Sequence, residues 1–233
     1  MPSEHIYKQF DTDMEAVRAR VLEMGGLVEE QVEKAIEALT TGNLTLAEEV
    51  IADDHRVNAM EVASDEACSH IIALRQPTAG DLRMILTIVK TITDLERIGD
   101  EAAKIARYGI KISDSVRITA PRYSDIKYMS GMVTRMLRES LDAFARLDAS
   151  GAAGVARQDI EVDEEFHMIM RHLITYMMED PRTISTFIDL LFVVKAIERI
   201  GDHAKNISEY VVFMVKGKDV RHTSIEELER ELM

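Results

Sequence analysis

At 233 residues, 46% hydrophobic and 30% charged, with four prolines and no tryptophan, the chain has the composition of a helix-rich globular protein able to bury a core. A net charge of −14 excludes a surface for the nucleic-acid backbone, which needs clustered Lys and Arg, and the single cysteine, Cys68, excludes an intrachain disulfide or a multi-thiolate metal site. The longest apolar run, residues 190–194, is too short to cross a bilayer, and Met1-Pro2-Ser3-Glu4-His5 opens no basic-then-apolar leader, so a cytoplasmic protein is expected.

After a polar lead-in over residues 1–12, Met14, Val17, Val21, Met24, Val28, Ala35 and Leu39 recur at helical spacing up to Thr40, where Thr41-Gly42-Asn43 stops a first helix. A second, through Leu46, Val50, Val57, Met60, Ala67, Ile71 and Leu74, ends at Arg75-Gln76-Pro77. The third starts near Thr78 and fades around Ile112. A polar segment, residues 113–121, reads as the junction between halves. The programme then restarts: a fourth helix from Tyr123 to Leu147, a fifth from about residue 152 to Met178 ended by Pro181, and a sixth from Arg182 to Lys216 ended by Gly217. The fold expected is all-α, two tandem antiparallel three-helix bundles related by internal duplication: a first repeat over 1–112, a second over 122–217, and a polar tail over 218–233.

The duplication is plainest in a five-residue word, Glu96-Arg97-Ile98-Gly99-Asp100, which returns 102 residues later as Glu198-Arg199-Ile200-Gly201-Asp202. Residues four apart share a helix face, so each word sets two carboxylates side by side. Left uncompensated they repel, and a like-charge pair kept in both halves points to a cation between its oxygens. On a helical wheel Ile92, Leu95, Ile98, Ala102 and Ile105 gather on one side, with Lys90, Asp94, Arg97, Glu101 and Lys104 opposite. Glu96 and Asp100 fall on the margin, where a neighbouring helix approaches. A mid-helix glycine costs about 0.5–1 kcal/mol against alanine and is explained by such close approach.

The antiparallel neighbours carry matching couples. Asp159 and Asp163 precede Pro181 by 22 and 18 residues, and Glu198 and Asp202 follow it by 17 and 21, so folding back at the proline levels the two couples. The same bookkeeping at Pro77 sets Asp54 and Asn58 against Glu96 and Asp100. The candidate metal ligands are therefore Asp54, Asn58, Glu96 and Asp100 in the first repeat, and Asp159, Asp163, Glu198 and Asp202 in the second. Such hard oxygen donors suit magnesium, manganese or iron better than a structural zinc. His167 and Asn206, each one turn from a couple, are further candidates, whereas His203, facing away from the couple, reads as solvated. The plain alternative for these acids is a solvated face paired with Arg97, Arg199 or nearby lysines. No Glu-x-x-His, phosphate-cradling glycine loop, nucleophile elbow or Cys-His arrangement marks a catalytic site, so no enzyme is expected.

Taken together, Arg75-Gln76-Pro77-Thr78-Ala79-x-Asp81-Leu82-Arg83, the two acidic words, Tyr176-Met177-Met178-Glu179-Asp180, Met24-Gly25-Gly26 and Met60-Glu61-Val62-Ala63 resemble the PhoU family of bacterial phosphate-signalling proteins over residues 5–223. The resemblance implies paired three-helix bundles, a repeated E(D)xxxD motif able to hold metal clusters, iron or zinc in some members, and homodimers. It also implies a negative regulator of phosphate-starvation genes that links the phosphate ABC transporter, through its ATPase PstB, to the sensor kinase PhoR. Asn58 departs from an all-carboxylate pattern and lowers the expected metal affinity of the first site. Two other readings compete: a carboxylate-bridged metal-dependent enzyme, and a helical repeat whose acids are surface charge alone.

Overall fold

Proline and short capping residues set the lengths of the helices. The protein is described by a computed structural model covering residues 8–114, 123–221 and 223. Among these residues lie six α-helices, α1 (Lys8–Thr41), α2 (Leu44–Arg75), α3 (Ala79–Asp114), α4 (Ser124–Arg146), α5 (Ala149–Glu179) and α6 (Ile184–Lys216), and one 3₁₀ turn at Pro181–Thr183. Asn43 caps α2 by accepting from the Leu46 amide at 3.1 Å. Gln76, whose position before Pro77 disfavours the α region, closes the same helix in the left-handed region at φ 48°. Asp180 accepts from the Arg182 amide at 3.1 Å and starts the 3₁₀ turn, and Gly217, at φ 74°, ends α6.

Two helix starts differ from the periodicity. α1 is already helical at Lys8, ahead of Met14, because Phe10 is a core residue at 5% exposure; residues 1–7 of the expected lead-in lie outside the described residues. α5 begins at Ala149, because Asp148 accepts from the Ser150 and Gly151 amides, each at 3.0 Å; the Ala-Ser-Gly string is its first turn, not a stop. Residues 115–122, most of the expected junction, and 224–233 of the expected tail lie outside the described residues.

Within each repeat every helix packs on the other two, and the repeats meet where α3 lies on α6 and α1 on α4. Asp94 with His203, Thr87 with Tyr210, Glu101 with Arg199 and Tyr108 with Phe192 pair in opposite chain directions, so α3 and α6 are antiparallel. Gly25 of α1 lets Leu141 of α4 approach to 2.7 Å of where its Cβ would stand. One buried apolar cluster runs through both repeats. α3 and α6 are therefore covered on two sides, which corrects the wheel: Asp94 and Glu101, drawn on a polar outer face, are 4% and 5% exposed in the seam between repeats. His203 is likewise buried there rather than solvated. No helix among the described residues is long and apolar enough to cross a membrane.

Candidate functional site

The acidic words sit where neighbouring helices closely cross α3 and α6. A Cβ on Gly99 would meet Gln31 Oε1 at 3.3 Å and Val57 Cγ1 at 3.4 Å; one on Gly201 would meet Val133 Cγ1 at 3.3 Å and Val162 Cγ1 at 3.5 Å. Val57 stands between Asp54 and Asn58, and Val162 between Asp159 and Asp163. The close crossing thus brings the second couple of each repeat alongside its acidic word.

Electrostatics shows which charges feel one another. Burial, and then the Asp100 charge, raise the Asp54 carboxyl above its usual range, with Arg107 and His55 opposing. Glu96 is raised by burial and then by Asp100, Glu61 and Asp54, with Arg97 opposing. Asp202 is pushed up to about 6 by burial and then by Glu198 and Asp159, with Lys195 opposing and Asp163 adding. Asn58, Asp100 and Asp163 stay exposed, Asp202 keeps exposed surface although its carboxyl is partly withdrawn from water, and Asp159 is buried.

Glu61 completes the first group, holding the Thr93 hydroxyl at 3.2 Å. Sequence reading sought i, i+4 couples and passed over it, although the i, i+4, i+7 spacing of Asp54, Asn58 and Glu61 places all three on one face. The two secondary candidates go elsewhere: Asn206 donates to Asp94 Oδ1 at 3.3 Å, and His167 is exposed with its ring against Phe166.

As they stand, no three His, Cys, Asp or Glu side chains among the described residues converge on a point that could hold a metal ion. A cation in either groove requires carboxylates to turn inward. The first groove has an oxygen free to do so: Asp54 Oδ1 is buried without a hydrogen-bond partner. In the second groove ammonium groups already occupy part of the acidic set, Lys195 Nζ lying 2.6 and 2.5 Å from the two oxygens of Glu198 and Lys205 Nζ 2.6 Å from Asp159 Oδ2. The hard-oxygen chemistry thus fits the first group more readily than the second.

Fold and grooves together define a class, the tandem three-helix repeat with one acidic word per repeat. The PhoU domain profile matches this chain twice, over residues 21–109 and 126–211. The chain belongs to the PhoU family. It is 46% identical over 231 residues to the phosphate-specific transport system accessory protein PhoU homolog of Pseudomonas aeruginosa, covering 99% of this chain and 95% of that one. Identity to the Escherichia coli phosphate-specific transport system accessory protein PhoU is also 46%, with the same coverage. The crystal structure of PhoU from Pseudomonas aeruginosa superposes with a TM-score of 0.87 at 45% identity, covering 90% of this chain and 100% of that one. That of the phosphate transport system regulatory protein PhoU from Streptococcus pneumoniae gives 0.84 at 29%, covering 91% and 99%.

Proposed function

We propose that the chain is a cytoplasmic accessory protein of a phosphate-specific transport system, a non-enzymatic adaptor that represses phosphate-starvation genes and restrains phosphate uptake. In this reading it links the transporter, through its ATPase PstB, to the sensor kinase PhoR, acts as a homodimer, and uses cation binding at the acidic grooves to set helix packing. The observation that carries the reading is the likeness to proteins named as accessory to phosphate-specific transport, which spans both repeats and nearly the whole chain. Long helices with exposed charged faces suit docking, and the net charge of −14 favours basic partner surfaces.

The test is a starvation-gene reporter in phosphate-replete cells lacking the protein, complemented by wild-type chain or by surface variants selected for loss of PstB or PhoR binding. Wild type should restore repression and the binding-deficient variants should not. Repression restored without either contact would sink the adaptor reading. Turnover by purified, metal-loaded protein that is abolished by Glu198→Ala would instead favour the metal-dependent enzyme.

A further inference from the structure

The two acidic words are identical in sequence, but the protein around them is not. Gly99 and Gly201 mark equivalent points, and the residue of the preceding bundle helix that touches each is Gln31 in the first repeat and Val133, 102 positions on, in the second. Gln31 is 2% exposed, and neither its Oε1 nor its Nε2 has a hydrogen-bond partner. Its amide lies under the groove, against the glycine between Glu96 and Asp100 and beside the valine between Asp54 and Asn58. A buried amide with both ends unmet costs on the order of 1–3 kcal/mol per unmet group unless a polar ligand or water meets them.

The cations differ in the same direction. Lys195 and Lys205, which hold Glu198 and Asp159, correspond to Thr93 and Ala103 in the first repeat. There the basic groups that act on the acids, Arg107 on Asp54 and Arg97 on Glu96, do so from a distance, without an ion-pair contact. No ion pair among the described residues reaches Asp54, Glu96 or Asp100, and Asp54 Oδ1 is buried and unpartnered. A polar floor and carboxylates without ion-pair contacts mark one repeat; an apolar floor and two ammonium groups in contact with Glu198 and Asp159 mark the other.

We infer that the repeats are functionally unequal: the groove of Asp54, Glu96 and Asp100, floored by Gln31, takes a hard, partly hydrated divalent cation, while Lys195 and Lys205 substitute for that cation in the second repeat. The inference rests on the reading of the acidic words as cation sites. It reverses the ranking that Asn58 alone suggests. An amide floor suits a hydrated ion, because its oxygen and its N–H groups can hold coordinated water that a valine cannot.

The test uses full-length protein stripped with chelator and titrated with Mn²⁺, read by elemental stoichiometry after dialysis and by paramagnetic broadening of backbone amide signals. Broadening should centre on residues of α2 around Val57, with those of α5 around Val162, on the far side of the α3/α6 seam, spared at one equivalent. Asp54→Asn with Asp100→Asn should weaken Mn²⁺ binding at least tenfold, and Glu198→Gln with Asp202→Asn should change it less than twofold. Lys195→Thr with Lys205→Ala should add a second site. Equal broadening in both repeats, or failure of the lysine variant to add a site, overturns the inequality while leaving cation binding intact. No broadening in either repeat at millimolar Mn²⁺ overturns both, and the Gln31 amide is then met by water alone. Circular dichroism of each variant separates lost binding from lost fold.

Discussion

Asp94 of α3 and His203 of α6 face each other across the seam between repeats, Oδ1 to Nδ1 at 2.6 Å, with 4% and 6% of their surfaces exposed. Asn206 donates to the same carboxylate oxygen, and the Tyr210 hydroxyl, pushed above its usual range by burial and then by the Asp94 carboxylate, stands beside the pair. Removing one partner from such a group leaves a buried carboxylate undercompensated. His203→Ala should therefore destabilise the protein by about 3 kcal/mol, the low end of the range for breaking a buried pair, because Asn206 and Tyr210 remain. Urea unfolding with a double-mutant cycle against Asp94→Asn measures it. Additive losses would show that the pair is not coupled.

Stability should rise as pH falls from 7.5 toward 5 on account of two carboxyls. Asp202 and Glu209 are both raised to about 6, each chiefly by burial. A carboxyl raised on folding holds its proton more tightly in the folded state. Its stabilisation is complete below the unfolded value, about 4, and is lost as pH climbs through about 6. Glu209→Gln should therefore stabilise at pH 7.5 by up to about 2 kcal/mol and give no advantage at pH 4. Asp202→Asn should act in the same direction by less, because its exposed surface is screened by solvent. Thermal melts in chelated buffer at the two pH values check the sign.

Gln31→Leu should stabilise the metal-free protein by about 1–3 kcal/mol. It removes two unmet polar groups at nearly constant volume from a site whose repeat counterpart is already apolar Val133. The substitution reads out in the denaturation midpoint, and a lower midpoint would show that the amide is satisfied in solution.

Gly201→Ala should destabilise by about 1 kcal/mol or more despite the better helix propensity of alanine, because its Cβ would stand 3.3 Å from Cγ1 of Val133, a stiff β-branched side chain. Gly99→Ala meets the end of a longer side chain, Gln31 Oε1, at the same distance and should be closer to neutral. Paired melting curves distinguish the two.

Cys68 is 1% exposed, and burial pushes its thiol up to about 11. At pH 7.5 the folded protein should resist thiol reagents, with labelling paced by opening of the first bundle. Rapid stoichiometric labelling of native protein would contradict that packing.

The helices were legible because hydrophobic spacing and proline are local signals: α2 stops before Pro77 and α5 before Pro181, as the sequence suggests. The glycines of the acidic words were legible as points of close crossing. What escaped were relationships between repeats. A wheel for α3 alone places Asp94 and Glu101 opposite its apolar stripe, and nothing within that helix announces that α6 covers them with His203 and Arg199. The second groove was half readable, since Lys195 and Glu198 stand three apart on one helix face, whereas Lys205 reaches Asp159 from a different helix. Gln31 gave a weaker signal, a polar residue among Val28, Val32 and Ala35 on the buried side of α1.

Arg199 is a letter of the second word, yet its Nη1 lies 2.7 Å from Glu101, the residue that follows the first word. Together with Asp94 and His203 this makes the ancestral copies indivisible. Cut between α3 and α4, each fragment would present to water a helix flank that now carries orphaned charge amid isoleucine and valine. The fragments should aggregate apart, and the intact chain should unfold in one transition rather than two.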